Sequence, residues 1–263
     1  MTGTKGRIAA IAVFLLVQAG FVSAAEIKVY STIGVQAALE ELMPKFEKVT
    51  GHKLTITWGT AAMLVKRVQA GESADIYVLT KQGFDALSKD GKATASSDAL
   101  FASSGMAMVV KKGAPKPDIS TPEKYKETLL KAKTIAYSNP AAGGASGVFF
   151  AKTLERMGIA EQMKDKTRHP PAGGNSANLV VSGEAELAVQ QQPEVMSVAG
   201  VDIVAPPPGD LNNVTFYSAG AASGTAQKDA ARALVNFLHT PEAQAVFTAR
   251  GLKPEGMAPP KAL

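Results

Sequence analysis

Residues 27–51 read IKVYSTIGVQAALEELMPKFEKVTG. Ile27–Tyr30 is a short β run, and Ser31-Thr32-Ile33-Gly34 turns it into a helix whose apolar residues Val35, Ala38, Leu39, Leu42 and Phe46 recur at helical spacing. Gly51 stops that helix. Further along, Leu54–Trp58 alternates as a strand, and Thr60 caps a second helix with Met63, Leu64 and Val68 on its apolar face. Gly71 ends that helix, and Asp75–Thr80 is again a strand. This β-α-β-α-β alternation predicts a parallel sheet covered by helices, with ligands at the C-terminal ends of the strands. The loops Ser31-Thr32 and Thr60-Ala61 lie on that edge.

A second α/β set starts at Met106–Lys111 and reads as a second lobe. It continues with a helix near Pro122–Lys133, a strand Thr134–Tyr137, helices Val148–Gly158 and Ser176–Ser182, and a strand Leu187–Gln190. The Pro-rich stretch Ala205–Gly209 and a strand Val214–Ser218 then lead to two terminal helices, Ala226–Leu238 and Pro241–Ala249. Thr240 is the N-cap of the last one, with Pro241 at its first position.

Ahead of all this, Lys5 and Arg7 precede the apolar run Ile8–Val17, and Val22-Ser23-Ala24 supplies small residues for cleavage. That is the pattern of a secretory signal peptide, residues 1–24, and the apolar run is short of the roughly 20 residues that span a membrane. The chain is therefore expected to be exported to the periplasm, without stable membrane association. The 263 residues carry 28 Lys+Arg against 23 Asp+Glu, and without Lys5 and Arg7 the net charge falls from +5 to +3. The remaining charges are spread along helices without aromatic interleaving, which argues against nucleic acid as a partner. There is no cysteine, so disulfide scaffolds, Cys-ligated zinc and thiol nucleophiles are excluded together.

The common signatures for zinc, serine-nucleophile, phosphate-loop and dinucleotide chemistry are all missing, and no cofactor or metal is expected. Of three histidines, His52 and His239 sit beside helix ends and read as solvated caps, while His169 precedes the small, polar loop Ala172–Asn175. More informative are four Gly-, Ser-, Thr- or Asn-rich turns at helix starts: Ser31–Gly34, Trp58–Ala61, Gly143–Gly147 and Gly173–Ser176. Free N–H groups at a helix N-terminus, with the helix dipole behind them, attract anions. Two such turns in each lobe predict a small anion held between the lobes.

At Ile27-x-Val29-Tyr30, Ala70-Gly71-x-x-Ala74-Asp75-Ile76, the Gly147–Leu154 helix start, Gly183-Glu184-Ala185-x-Leu187 and Phe237-Leu238-x-x-Pro241-Glu242-Ala243-Gln244-Ala245-x-Phe247, the sequence resembles the periplasmic molybdate-binding proteins of ABC importers. The resemblance covers essentially the whole mature chain. It implies a class II periplasmic-binding-protein-like fold, with two lobes that are each a mainly parallel sheet flanked by helices and a ligand cleft between them. Lobe I would comprise residues 25–104 and 216–263, and lobe II residues 105–215, in a monomer.

Carried over residue by residue, the resemblance places the family's first oxyanion-binding serine on Gly34, its second on Ala61 and its closing tyrosine on Gln191, within Gln190-Gln191-Gln192. Two positions that use backbone groups fall on Ser146 and Ser176. Three side-chain hydroxyls are thus replaced, and molybdate gives way to a larger anion with several acceptor groups, such as a di- or tricarboxylate. Ser31–Gln36 and Gly143–Gly147 are also similar to the aconitate isomerases, periplasmic enzymes related to these binding proteins. That narrower resemblance implies cofactor-independent exchange of trans- and cis-aconitate by allylic proton transfer. The substrate would be held by Ser31, Thr32, Gly34, Thr60, Ala61, Ser146, Gly147, Asn175, Ser176, Gln190 and Gln191. The base would be His169 or Lys66, the latter about one and a half turns into its helix. The alternative is a non-catalytic solute-binding protein that delivers a carboxylate or an oxyanion such as molybdate to an ABC permease.

Overall fold

The computed structural model describes residues 25–94 and 99–256. The segment read as a signal peptide lies outside them. The opening run folds as β1 (Glu26–Thr32), then a single 3-10 turn at Ile33–Val35, then α1 (Gln36–Thr50). Gly51 closes α1 in the left-handed region at φ 74°, donating its N–H to the Glu47 carbonyl, a backbone geometry that favours glycine. The chain continues through β2 (Lys53–Gly59), α2 (Ala61–Gln69), β3 (Ile76–Thr80), α3 (Lys81–Lys89) and β4 (Leu100–Ser104). After Gly105 come β5 (Met106–Lys111), α4 (Pro122–Lys131), β6 (Ile135–Ala136), α5 (Ala145–Arg156), α6 (Ala160–Lys164), β7 (Thr167–Arg168), α7 (Ala177–Ser182), β8 (Leu187–Gln191), α8 (Gln192–Met196) and β9 (Val201–Ala205). It ends with β10 (Thr215–Ala221), α9 (Lys228–Leu238), α10 (Pro241–Ala249) and β11 (Lys253–Pro254).

Two sheets form, in the orders β11-β4-β10-β3-β1-β2 and β7-β6-β8-β5-β9. Each is mixed where a mainly parallel sheet was expected. β1 runs parallel to β2 and β3, but β10 is antiparallel to β3 and β4, and β11 to β4. In the second sheet β6 is parallel to β7 and β8, whereas β5 is antiparallel to β8 and β9. The physical reason is connectivity. Strands joined through a covering helix come out parallel, and those on which the chain passes between the sheets run back against their neighbours.

Apolar side chains bury both faces of each sheet. In the first sheet, Leu39, Leu42 and Phe46 of α1 pack with Leu234 and Phe247, while Leu64 and Val68 of α2 pack with Phe84 of α3. Met63, expected on that apolar face, is exposed instead, because the face turned toward the sheet is that of Leu64 and Val68, flanked by Ala61 and Val65. Under the second sheet lie Tyr125, Leu129, Phe150 and Leu154 on one side and Val180 and Val195 on the other. His52 and His239 are buried beside their helix ends rather than solvated, His52 accepting the Ala25 N–H at 3.3 Å and stacking on Phe46.

The parallel strands β1, β2 and β3 each deliver a helix start at their C-terminal ends, and β6, β7 and β8 do the same from the other sheet. Those ends face one another.

Candidate functional site

Between the two sets of helix starts lies a cavity of about 470 Å³, within the roughly 300–1,000 Å³ of small-molecule sites. From the first sheet it is walled by Thr32–Gly34, by Thr60–Ala62 and by Thr80, Gln82 and Gly83. Thr60 and Thr80 are N-caps whose hydroxyls accept the Met63 and Gly83 N–H groups at 3.2 Å each. With those donors satisfied, the first N–H groups of α2 and α3 remain for a ligand. From the second sheet come Ser138 and Asn139, the turn Ala142–Ser146 that opens α5, the glycines 173 and 174, and Gln191 and Glu194 at the start of α8.

All four turns singled out in the sequence reach this cavity, but not every residue in them does. Thr32, Gly34, Thr60, Ala61, Ser146 and Gln191 line it. Ser31 is buried in β1, its hydroxyl turned to the Thr32 carbonyl. Gly147 lies behind the wall, where an added side chain would collide with the Ser138 carbonyl, so it lets the first turn of α5 close on that segment. Asn175 caps locally, accepting the Ala177 N–H and donating to the Glu194 carbonyl. Ser176 and Gln190 are buried one layer back, with Gln190 Oε1 accepting the Ser176 N–H at 2.7 Å and its hydroxyl at 2.6 Å. Lys66 and His169 are exposed and stand outside the lining. The His169 ring lies edge-on to Tyr137, its Nδ1 2.9 Å from the Tyr137 carbonyl oxygen.

The two halves touch across the cleft. Thr60 Oγ1 donates to the Ala142 carbonyl at 3.1 Å. Where the chain passes between the sheets, the Gln191 amide bridges the Ser104 and Thr215 hydroxyls at 2.8 and 2.6 Å, in either orientation of the amide. Gln191 is thus occupied by protein partners while one side of it faces the cavity.

Several lining residues are absent from the candidates that the sequence offers, Thr80, Ser138, Asn139 and Lys152 among them, and two of the others, Tyr217 and Glu194, bear most on the chemistry. Tyr217 of β10 is 1% exposed, and its hydroxyl lies 3.1 Å from Ser104 Oγ. A Cβ placed on Gly34 would stand only 2.5 Å from that hydroxyl, so the missing side chain at 34 makes room for a phenol from another strand. Burial raises the Tyr217 pKa, opposed by the Ser104 hydrogen bond and reinforced by the Glu194 charge, which keeps the group a neutral donor. Glu194 is half-buried at the cavity wall, its carboxylate accepting from the Gln190 amide. Burial pushes its pKa from 4.5 up to about 7, against the lowering effect of the Gln190 bond. The start of α8 does carry a signal, Gln192-Pro193-Glu194, with proline and an acid in the first turn. A helix of five residues shows no apolar period to confirm it.

Lys152 is the only cation and Glu194 the only acid among the described lining residues. Charge for an anion therefore comes from helix N-termini and neutral donors more than from side-chain cations. No three His, Cys, Asp or Glu side chains come together as a metal site among the described residues.

Two sheets that meet at a cavity rimmed with helix starts define a two-lobed α/β fold of the periplasmic-binding-protein kind. The chain belongs to the bacterial extracellular solute-binding proteins, whose family model matches residues 27–253. It is 35% identical over 232 residues to an aconitate isomerase from a Pseudomonas species, covering 86% of this chain and 87% of that one. Its identity to the molybdate-binding protein ModA of Escherichia coli K12 is 23% over 229 residues, 86% and 88% of the two chains. The solved periplasmic molybdate-binding protein of Azotobacter vinelandii superposes with a TM-score of 0.68 at 20% identity, over 88% of this chain and all of that one. No helix among the described residues is long and apolar enough to cross a membrane.

Proposed function

We propose that this protein is an aconitate isomerase, exchanging trans- and cis-aconitate in the cleft without a cofactor. The observation that carries the reading is the remade anion site. Gly34 and Ala61 stand where the molybdate-binding resemblance places serines, Gln191 is engaged by Ser104 and Thr215, and the Tyr217 phenol fills the space over Gly34. The cavity suits an anion larger than one tetrahedral oxyanion. The 35% identity to an aconitate isomerase over most of both chains supports the same reading.

Aconitate is a propene carrying a carboxylate on each carbon, so loss of a methylene proton leaves an allylic carbanion that is the same from either end. Its charge spreads onto the terminal carboxylates. Fixed N–H groups at the starts of α2 and α5, with Ser146 and Tyr217, are placed to receive that charge, and one such donor is worth about 3 kcal/mol in oxyanion holes. In the same proposal the protein is exported, its signal peptide cleaved near Ala24, and it acts as a periplasmic monomer. Its lobes are joined where the chain crosses at Gly105 and again just before Thr215.

The second reading is a solute-binding protein that hands a carboxylate or oxyanion to an ABC permease, and membership of the extracellular solute-binding family favours it. Incubation of the purified protein with trans-aconitate, read by chromatography, separates the two. The isomerase reading expects cis-aconitate in proportion to protein added. A ligand-dependent rise in melting temperature with no product would favour the binding protein.

A further inference from the structure

An acidic side chain in an anion cleft is unfavourable for binding alone, because like charges repel at close range. Glu194 is such a side chain. It lines the cavity between the sheets and also a smaller one of about 300 Å³, which Gln36 and Glu40 of α1 help to wall. Two sets of bonds hold it in place. The Gln190 amide donates to its carboxylate, and the Ser176 N–H and hydroxyl, by occupying Gln190 Oε1, fix which way that amide points. The Asn175 side chain donates to the backbone carbonyl of Glu194 itself. A carboxyl held by the Gln190 amide, on a residue whose backbone carbonyl is held as well, stands at the wall of a cleft otherwise lined by neutral donors and has the placement of a group that exchanges protons with the ligand.

Building on the isomerase reading, we propose that Glu194 is the catalytic residue that carries the proton between the two allylic carbons of bound aconitate. The Glu194 carboxylate takes a methylene proton. That C–H bond breaks, an O–H bond forms on Glu194, and the electron pair delocalises over the three propene carbons and the two terminal carboxylates. The Glu194 O–H bond then breaks as a new C–H bond forms at the opposite terminal carbon. The double bond now joins the central carbon to the former methylene carbon, and the carboxylate is regenerated. Burial, which moves Glu194 close to neutral pH, matches the carboxyl to this work. Gln190 and Ser176 are positioning residues. Lys66 and His169, exposed and outside the cavity lining, take no part.

The test compares the unaltered protein with Glu194→Gln and Glu194→Asp, reading kcat and KM for trans-aconitate alongside thermal melting. Glu194→Gln keeps the shape and can still accept the Gln190 hydrogen bond. It should lose about 10²- to 10⁴-fold in kcat, with KM unchanged or lower because a like charge has gone. Glu194→Asp keeps the carboxyl but withdraws it, and should fall between the two. Turnover in Glu194→Gln within about threefold of the unaltered protein, or a rise in KM with kcat intact, would overturn this assignment while leaving the isomerase reading standing. No turnover in the unaltered protein would overturn both.

Discussion

Gly34→Ala places one methyl group where the cleft has no room for it. The added Cβ would sit 2.5 Å from the Tyr217 hydroxyl and 3.0 Å from its Cε1 and Cζ, about 1 Å inside ordinary contact for the first of these. Tyr217 cannot swing aside into solvent, because it is 1% exposed and packs in the core with Phe101 and Leu234. Its hydroxyl would have to leave Ser104, 3.1 Å away. Overpacking of this kind costs about 1–3 kcal/mol, and the lost hydrogen bond adds about 1 kcal/mol. For a chain of this size the melting temperature should fall by roughly 5–15 °C. Tyr217→Phe removes the atom at 2.5 Å but keeps the ring, so in that background Gly34→Ala should cost about 1 kcal/mol less. Calorimetric melting of the four proteins in this cycle measures both effects. A change under about 2 °C for Gly34→Ala, or equal costs in the two backgrounds, would refute the claim that the phenol occupies the space vacated at residue 34. By the same geometry, Gly34→Ser should not confer molybdate binding, which titration calorimetry reads directly.

Two further outcomes follow from the cleft. Thr60→Ala removes the N-cap of α2 and the donor to the Ala142 carbonyl, and should destabilise by about 1–2 kcal/mol in urea unfolding; Thr60→Ser, which keeps the oxygen, should recover most of that. Because burial raises the Glu194 pKa from 4.5 to about 7, the folded state holds this proton more tightly than the unfolded one. The resulting stability is fully present below pH 4.5 and is lost as pH rises through about 7. From pH 5 to 8 its contribution should fall by about 1–3 kcal/mol, discounted for the partly open wall, and Glu194→Gln should flatten that dependence. Groups that share a cavity with Glu194 are Lys152 from α5, Glu40 from α1 and Tyr217 from β10.

Most of the architecture was legible because its elements are long and capped. The period through Leu39, Leu42 and Phe46, the caps at Thr60 and Thr240, and the stop at Gly51 each appear in the structure as read. The Thr80 cap and α3 carry the same kind of signal and were open to the same reading. What sequence could not order was the sheets. Strand direction depends on which neighbours pair, and β10 reaches β3 and β4 from more than a hundred residues away. The site divides in the same way. Turns that cap helices locally were found as turns, so Thr32, Thr60 and Ser146 line the cavity. Tyr217 was missed because a strand's alternation does not reveal which partner its side chain meets. Gln190 and Ser176, read as ligand contacts, instead hold Glu194, since a residue one layer back has the same local sequence as one at the wall.

The most direct test is proton NMR of the purified protein with trans-aconitate and, separately, with cis-aconitate, no cofactor being added. If the protein is an aconitate isomerase, the vinyl signal of each isomer converts until both samples reach the same ratio, at a rate proportional to protein. Unchanged spectra in both samples at high protein concentration would contradict it.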